Sequence, residues 1–334
     1  MSKPTVLLIG GLAHCNKEWS DFSSKYQLKE FRTGTRDQFL NNLKNGEYNE
    51  VVGLYRSNNS TSETGPFDKE LLSLLPKSLK YIAHNGAGYD NIDVEAFTNA
   101  GIAISSTPIA VDNATADVAI FLLLGALGQA QIPLNAIRAG KWRGATPIGH
   151  DPEVKTLGIL GMGGIGRAVA HRARAFDMKI IYHNRSRLSP DLEGDATYVS
   201  FDELLSRSDI ISLNLALNAK TKHIISAPQF AKMKDGVVII NTARGALINE
   251  KDLVAALDSG KVASAGLDVF EEEPKVEEGL LKNDNIFIVP HIGTNTYETQ
   301  REMELLVLRN LESAVDGKGL LTQIPEQRNM SKPN

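Results

Sequence analysis

Residues 156–170 constrain the fold of this chain more than any other stretch. The apolar run 156–160 passes directly into Gly161-Met162-Gly163-Gly164-Ile165-Gly166, and Arg167-Ala168-Val169-Ala170 follows with helical character. In that spacing the first glycine permits a tight turn and the second lets backbone approach a ligand. The third lets a helix pack closely on the strand. A helix opening there offers free N–H groups and partial positive charge to a pyrophosphate. Glycines in this pattern alone would also suit a turn with no ligand. The strand–loop–helix setting points to a bound dinucleotide.

The rest of the chain repeats the same strand–helix alternation. Short apolar or β-branched runs occur at 5–9, 51–55, 79–83 and 102–105, and a second series at 156–160, 179–182, 210–215, 237–241, 265–268 and 286–289. Continuous apolar runs of this length suit strands buried on both faces. Segments 165–176, 201–205 and 250–257 read as helices between them. This alternation predicts α/β architecture with parallel sheets and right-handed crossovers. A long helical segment, 113–139, joins the two series, and a last helix spans about 297–316. Pro108 and the polar stretch 294–299 are candidate hinges. Residues 326–334 read as disordered.

Composition narrows the class. A length of 334 residues suggests two domains. The net charge of −4 gives no reason to expect nucleic acid or an anionic membrane as partner. Cys15 is the only cysteine, so no intramolecular disulfide can form, in keeping with a reducing compartment. The start, Met1-Ser2-Lys3-Pro4, lacks a secretory pattern, and a cytoplasmic location is expected. The apolar stretch 114–130 contains Asp117 and two glycines; it is too short to span a bilayer and reads as a buried or interface helix.

The second strand of the glycine-loop series identifies the dinucleotide. An NAD-specific site carries an acid about 20 residues beyond the loop, on the ribose hydroxyls. Here the chain runs His183-Asn184-Arg185-Ser186-Arg187, with no acid until Asp191. A carboxylate would repel a 2′-phosphate, whereas arginine can grip one. The expected cofactor is therefore NADP(H), with NAD(H) the weaker alternative. A solvated surface charge run is the competing reading.

Three later strands end in polar groups: Asn241-Thr242-Ala243-Arg244-Gly245; Asp268-Val269-Phe270-Glu271-Glu272-Glu273-Pro274; and Pro290-His291-Ile292-Gly293. In open α/β sheets ligands bind beyond the carboxyl ends of strands. An arginine there can hold a carboxylate and polarise a carbonyl, and a histidine can donate a proton. A neighbouring glutamate raises the histidine pKa. Taken singly, Arg244 could be a capping residue, the 271–273 acids a solvated turn, and His291 structural. No metal is expected.

These segments, with His84-Asn85-Gly86-Ala87-Gly88-Tyr89-Asp90-Asn91-Ile92-Asp93 and the glycine loop, closely resemble the D-isomer-specific 2-hydroxyacid dehydrogenase family from about residue 80 to 293. The resemblance implies two Rossmann-like, doubly wound parallel-sheet domains with a cleft between them. Residues 1–107 plus 298–334 would form a flavodoxin-like substrate domain. Residues 108–297 would form the NAD(P)-binding Rossmann domain, with dimerisation helices in 113–139 and a homodimer as the assembly. Arg244 would bind substrate carboxylate and carbonyl, His291 would be the general acid, and Glu273 would pair with it. The amides of Ala87 and Gly88 would cradle the carboxylate. Thr115, Gly161, Met162, Gly163, Gly164, Ile165, Gly166, Asn184, Arg185, Ser186 and Arg187 would contact the cofactor. Leu215, Ala216 and Thr221 would line its adenosine side; Thr242, Ala243, Arg244, Asp268, His291 and Gly293 its nicotinamide side. Ala216 stands where the family often has proline.

Within the family, Asn184-Arg185-Ser186-Arg187 is similar to the NADPH-preferring glyoxylate and hydroxypyruvate reductases. The implied reaction is reduction of small 2-keto acids to D-2-hydroxy acids. Two alternatives are a reductase for bulkier acids, such as phenylglyoxylate or branched-chain 2-keto acids, and a co-repressor-like protein that senses NAD(P)H. Tyr55, Arg56, Ser57, Tyr89 and Trp142 are candidates to shape a substrate pocket, although each fits a structural role better.

Overall fold

The computed structural model describes residues 3–330. The chain divides into two compact units, residues 1–111 with 296–334, and residues 112–295. The crossings fall beside Pro108 and within the 294–299 stretch.

The first unit is built on five parallel strands: β1 (Thr5–Ile9), β2 (Gln27–Phe31), β3 (Val51–Ser57), β4 (Tyr81–Asn85) and β5 (Ala103–Ser105). Their order is β2-β1-β3-β4-β5, the flavodoxin-like arrangement. Strand β2 is absent from the apolar runs because it lies at an edge. Gln27-Leu28-Lys29-Glu30 is at most half-buried and only Phe31 enters the core. Strand β4 begins two residues later than the apolar run 79–83. Leu79 is buried, but its N–H closes a turn on Pro76 O. Its apolar side chain reports burial and not ladder membership.

The helix Tyr297–Val315 packs on this unit. Val307, Leu308 and Leu311 meet Val6, Leu8, Tyr55 and Ala83. Gly53 on β3 makes room for it: a Cβ there would lie 2.7 Å from Leu311 Cδ1.

The expectation of disorder over 326–334 is corrected for residues 326–330; residues 331–334, like 1–2, lie outside the described part. Ile324 N donates to Ile104 O at 3.0 Å. Gln327, fully buried, accepts from Ile104 N at 2.7 Å and donates to Ile102 O and Thr98 Oγ1. The segment is polar, yet the Gln327 amide is held in the fold because it supplies hydrogen bonds to the edge of β5.

The second unit has seven parallel strands: β6 (Thr156–Leu160), β7 (Lys179–His183), β8 (Thr197–Tyr198), β9 (Ile210–Leu213), β10 (Val237–Asn241), β11 (Val262–Leu267) and β12 (Ile286–Ile288). Their order is β12-β11-β10-β9-β6-β7-β8, which reverses direction between β6 and β9. Both sheets are thus doubly wound, and in the second the glycine loop leaves the strand at the switch point. Two-residue β8 is too short to show in the sequence.

The helical segment 113–139 consists of two helices, Asp112–Leu127 and Gln131–Arg138, bent by 76°. The break falls at Gly128-Gln129-Ala130, where Gln129 takes φ 46°. One side of the first helix is core: Ala116, Ala119, Leu122 and Leu123 pack with Ile159, Val238, Ile240 and Phe287. Burying each leucine contributes about 1.5–3 kcal/mol. Gly125 permits the approach, since a Cβ there would lie 2.2 Å from the Phe287 ring. Among the described residues no single helix is long and apolar enough to cross a membrane.

Candidate active site

In the second unit the glycine loop has the geometry its spacing predicts. Gly161 takes φ +98°, and a Cβ on it would meet Asn214 O at 2.7 Å. A Cβ on Gly166 would lie 2.3 Å from Gly161 O, so helix Gly164–Arg174 could not approach the strand with any larger residue. Gly163 faces open space on the side where a Cβ would stand, as close approach of a pyrophosphate requires. These residues fit a bound dinucleotide.

The turn after β7 is tied to this loop. Met162 N donates to Asn184 Oδ1 at 2.7 Å, and Tyr198 OH donates to Asn184 O at 3.1 Å. Arg185, Ser186 and Arg187 are exposed. Of the two arginines only Arg187 is engaged among the described residues: its guanidinium pairs with Glu193 at 2.9 Å. After β9, Leu215 is half-buried and Ala216 exposed. Thr221 closes that turn, donating to Ala216 O and accepting from Asn218 N, both at 2.8 Å.

The ends of β10, β11 and β12 form a second cluster. Buried Asn241 fixes the turn behind it: Nδ2 donates to Arg244 O at 2.8 Å and Oδ1 accepts from Ala243 N at 3.0 Å. Thr242 is buried, and Arg244 Nη1 donates to Ala243 O. Gly245 then packs backbone to backbone on the 270–271 turn; a Cβ on it would sit 1.9 Å from Phe270 C. The segments carrying Arg244 and Glu273 are thereby brought into direct contact.

Glu273 reaches both its own turn and the end of β12. Its Oε1 accepts from Phe270 N at 2.9 Å, and its Oε2 lies 2.7 Å from His291 Nδ1. Burial pushes the Glu273 carboxyl up, but hydrogen bonds from His291 and the Phe270 amide outweigh it and leave the group below its ordinary value. Hydrogen bonding to Glu273 raises the His291 pKa, against burial and the Arg244 charge, which lower it. With Nδ1 on the glutamate, Nε2 is the ring nitrogen left to exchange a proton.

His291 takes the left-handed φ of 52°. Asp268 holds the backbone around it. His291 N donates to Asp268 O at 2.8 Å, and the Asp268 carboxylate accepts from Ile292 N at 2.5 Å and Gly293 N at 2.9 Å. Burial raises the Asp268 pKa, opposed by those two amides and by His291. Buried Thr115 stands beside Gly293.

Three contributors carry no signature in the sequence. Asn241 lies inside a matched motif but reads there as an ordinary strand end. Glu250 accepts from Glu271 N at 2.8 Å, and His223 Nε2 lies 2.5 Å from Glu271 Oε1. Both brace the turn that carries Glu273 from distant positions, and no local spacing announces them.

In the first unit, the loop after β4 presents exposed Ala87 and half-buried Gly88. His84 Nε2 lies 3.0 Å from Gly88 O and holds the loop from within. Fully buried Arg56 donates to Asn91 Oδ1, Thr61 Oγ1 and Ser57 O. Tyr55 is likewise buried, its hydroxyl accepting from Asn85 Nδ2. Arg56 and Tyr55 serve the core and its loops. Tyr89 OH donates to Glu326, and Trp142, in the second unit, is exposed.

This combination of a dinucleotide loop and a His–Glu pair beside an arginine defines a nicotinamide-dependent dehydrogenase. The chain belongs to the D-isomer-specific 2-hydroxyacid dehydrogenases: the model of that family's NAD-binding domain matches residues 120–293. It is 66% identical to 4-methyl-2-oxopentanoate reductase A of Aspergillus oryzae, over 98% of this chain and 99% of the relative. The crystal structure of a glyoxylate reductase from Paecilomyes thermophila superposes with TM-score 0.97 at 67% identity, covering 98% of this chain and all of that one. D-mandelate dehydrogenase of Rhodotorula graminis superposes with TM-score 0.92 at 33% identity, both chains covered completely.

Proposed function

We propose that this enzyme reduces 2-keto acids to D-2-hydroxy acids with NADPH, through Arg244, Glu273 and His291. The observation that carries the reading is the 2.7 Å pairing of Glu273 with His291 Nδ1. Paired in this way, the imidazole is held in one orientation and its protonated form is favoured over that of an unpaired histidine. Arg244 binds the substrate carboxylate and polarises the carbonyl. His291 Nε2 gives its proton to the carbonyl oxygen in reduction and accepts it in oxidation. The amides of Ala87 and Gly88 hold the carboxylate. The bound nicotinamide supplies or accepts the hydride.

Preference for NADPH is supported by the turn after β7, where no carboxylate stands at the ribose position and Arg185 is exposed. A charge-assisted contact from Arg185 to a 2′-phosphate contributes about 1.5–3 kcal/mol, roughly 10- to 100-fold in affinity. A homodimer is supported by Phe121, Leu124, Leu134 and Ile137, which leave apolar surface exposed on the helices Asp112–Leu127 and Gln131–Arg138. We assign the enzyme to the cytoplasm.

Small acids such as glyoxylate and hydroxypyruvate are the proposed substrates. A second reading, preference for branched-chain or aromatic 2-keto acids, is favoured by the names of the Aspergillus and Rhodotorula relatives. Initial rates with NADPH and with NADH, against glyoxylate, hydroxypyruvate, 4-methyl-2-oxopentanoate and phenylglyoxylate, test both readings. Fast NADPH-linked turnover is expected, and the ranking of acids selects between small and bulky substrates. A higher kcat/KM with NADH overturns the cofactor assignment. No turnover by protein that binds NADPH overturns the catalytic reading and leaves a sensing role.

A further inference from the structure

The two arginines after β7 look equivalent in the sequence and are unlike in the structure. Arg185 makes no hydrogen bond or ion pair among the described residues and is exposed. Arg187 turns onto Glu193, the last residue of the short helix Pro190–Glu193. Its Nε lies 3.1 and 3.0 Å from the two carboxylate oxygens, and its Nη2 lies 2.9 Å from Oε2. The glutamate side chain is only 5% exposed, whereas the arginine over it is 66% exposed. Tyr182, fully buried on β7, donates its hydroxyl to Glu193 Oε1 at 3.2 Å and accepts from Leu188 N at 3.1 Å. Positions 184, 187 and 188 are therefore each anchored, while 185 and 186 form the free tip.

We propose that Glu193 is a positioning residue for 2′-phosphate recognition: by holding Arg187 it fixes the 184–188 turn, so that Arg185 alone discriminates NADPH from NADH. The proposal rests on the NADPH reading above. Its physical basis is charge. A carboxylate near this site would oppose a phosphate, but paired with Arg187 it forms a neutral unit, and the net positive charge of the turn is left on Arg185. A buried carboxylate also requires its partner, so Glu193 and Arg187 act together.

Dissociation constants for NADPH and NADH, read by cofactor fluorescence together with Tm, test this in wild type, Glu193→Gln, Arg187→Gln, the double variant and Arg187→Lys. Each glutamine variant is expected to weaken NADPH about tenfold and NADH less than about twofold. The double variant should lose no more than the worse of the singles, and lysine, lacking the guanidinium fork, should not rescue. If Glu193→Gln binds NADPH as tightly as wild type or more tightly, Arg187 is a direct phosphate ligand that Glu193 restrains, and the proposal fails. Losses that add, or equal losses for both cofactors, also overturn it. If either glutamine variant does not fold, Tyr182→Phe carries the same comparison, with a smaller NADPH-selective loss expected and an unselective one refuting. The NADPH reading is judged separately: it fails if wild type prefers NADH and Arg185→Gln changes neither constant.

Discussion

Replacing Gly245 by alanine probes the contact that brings the candidate catalytic residues together. The added methyl would stand 1.9 Å from Phe270 C, 2.2 Å from Phe270 O and 2.3 Å from Glu271 N. Ordinary contact begins near 3.4 Å, so the 270–271 turn must retreat by about 1.5 Å. All three atoms are backbone, so no side chain can swing aside. Overpacking costs about 1–3 kcal/mol, and a rigid backbone neighbour places this case near the upper value. For a unit of this size that corresponds to a Tm lower by roughly 6–12 °C. The larger effect falls on chemistry. Glu273 is anchored to the displaced turn through Phe270 N, so the imidazole it orients moves relative to Arg244. A misplacement of about 1 Å costs about 10²-fold in rate. Gly245→Ala should therefore lose about 10²-fold in kcat/KM for the 2-keto acid. Its NADPH dissociation constant should change far less than kcat/KM, because the phosphate-binding loop lies on β6 and only the nicotinamide end would adjoin the 242–244 segment. Steady-state kinetics, cofactor fluorescence and thermal unfolding measure the three quantities. A variant with kcat/KM within about twofold of wild type and an unchanged Tm would refute the claim that this backbone contact sets the site.

Glu273→Gln removes the group that raises the His291 pKa. Reduction needs the protonated imidazole, so activity is present below the folded pKa and lost as pH rises through it; the falling limb of the kcat/KM profile should move to lower pH in the variant, and an unmoved limb would contradict the pairing. Asp268→Asn leaves one carbonyl oxygen where two carboxylate oxygens accept the Ile292 and Gly293 amides. It should cost about 1–3 kcal/mol by denaturant unfolding and reduce kcat through a misplaced His291; wild-type values for both would show that the backbone near His291 holds itself. Gln327→Ala strips partners from Ile104 N and Ile102 O, and hydrogen exchange of the Ile104 amide should accelerate by at least about tenfold; unchanged exchange would mean that water replaces the side chain without cost.

What could be read from the sequence divides along physical lines. Strands β1, β6 and β10 were legible to the residue, because strands buried on both faces are written as continuous apolar runs. Strand β2 was not, because all of it but Phe31 is at least partly solvated, and β8 was not, because it is two residues long. The glycine loop was legible because each glycine answers a local steric demand. The break at Gly128-Gln129-Ala130 turns on a non-glycine residue, Gln129, in the left-handed region, which its residue type does not announce. In the candidate site, Arg244, Glu273 and His291 were found from strand ends and motif. Of the residues that brace them, Asn241 closes its own turn locally, whereas Glu250 and His223 reach Glu271 through the tertiary fold. Asn184, expected at the cofactor, also fastens the turn to the glycine loop by accepting from Met162 N, a tie that the sequence does not show. The run 185–187 showed its charge in the sequence but not the division of labour between its two arginines.

The return of helix Tyr297–Val315 to the first unit bears on how the chain is born. Synthesis proceeds from the N-terminus, and domains generally fold as units when their chain is complete. The unit formed by residues 112–295 is continuous and can close as soon as it clears the ribosome. The unit that begins the chain must wait. Until Val307, Leu308 and Leu311 emerge, Val6, Leu8, Tyr55 and Ala83 have no cover on that side of the sheet, and until Gln327 emerges the edge of β5 is open. The first unit's core is thus completed by residues far along the chain from the strands they cover.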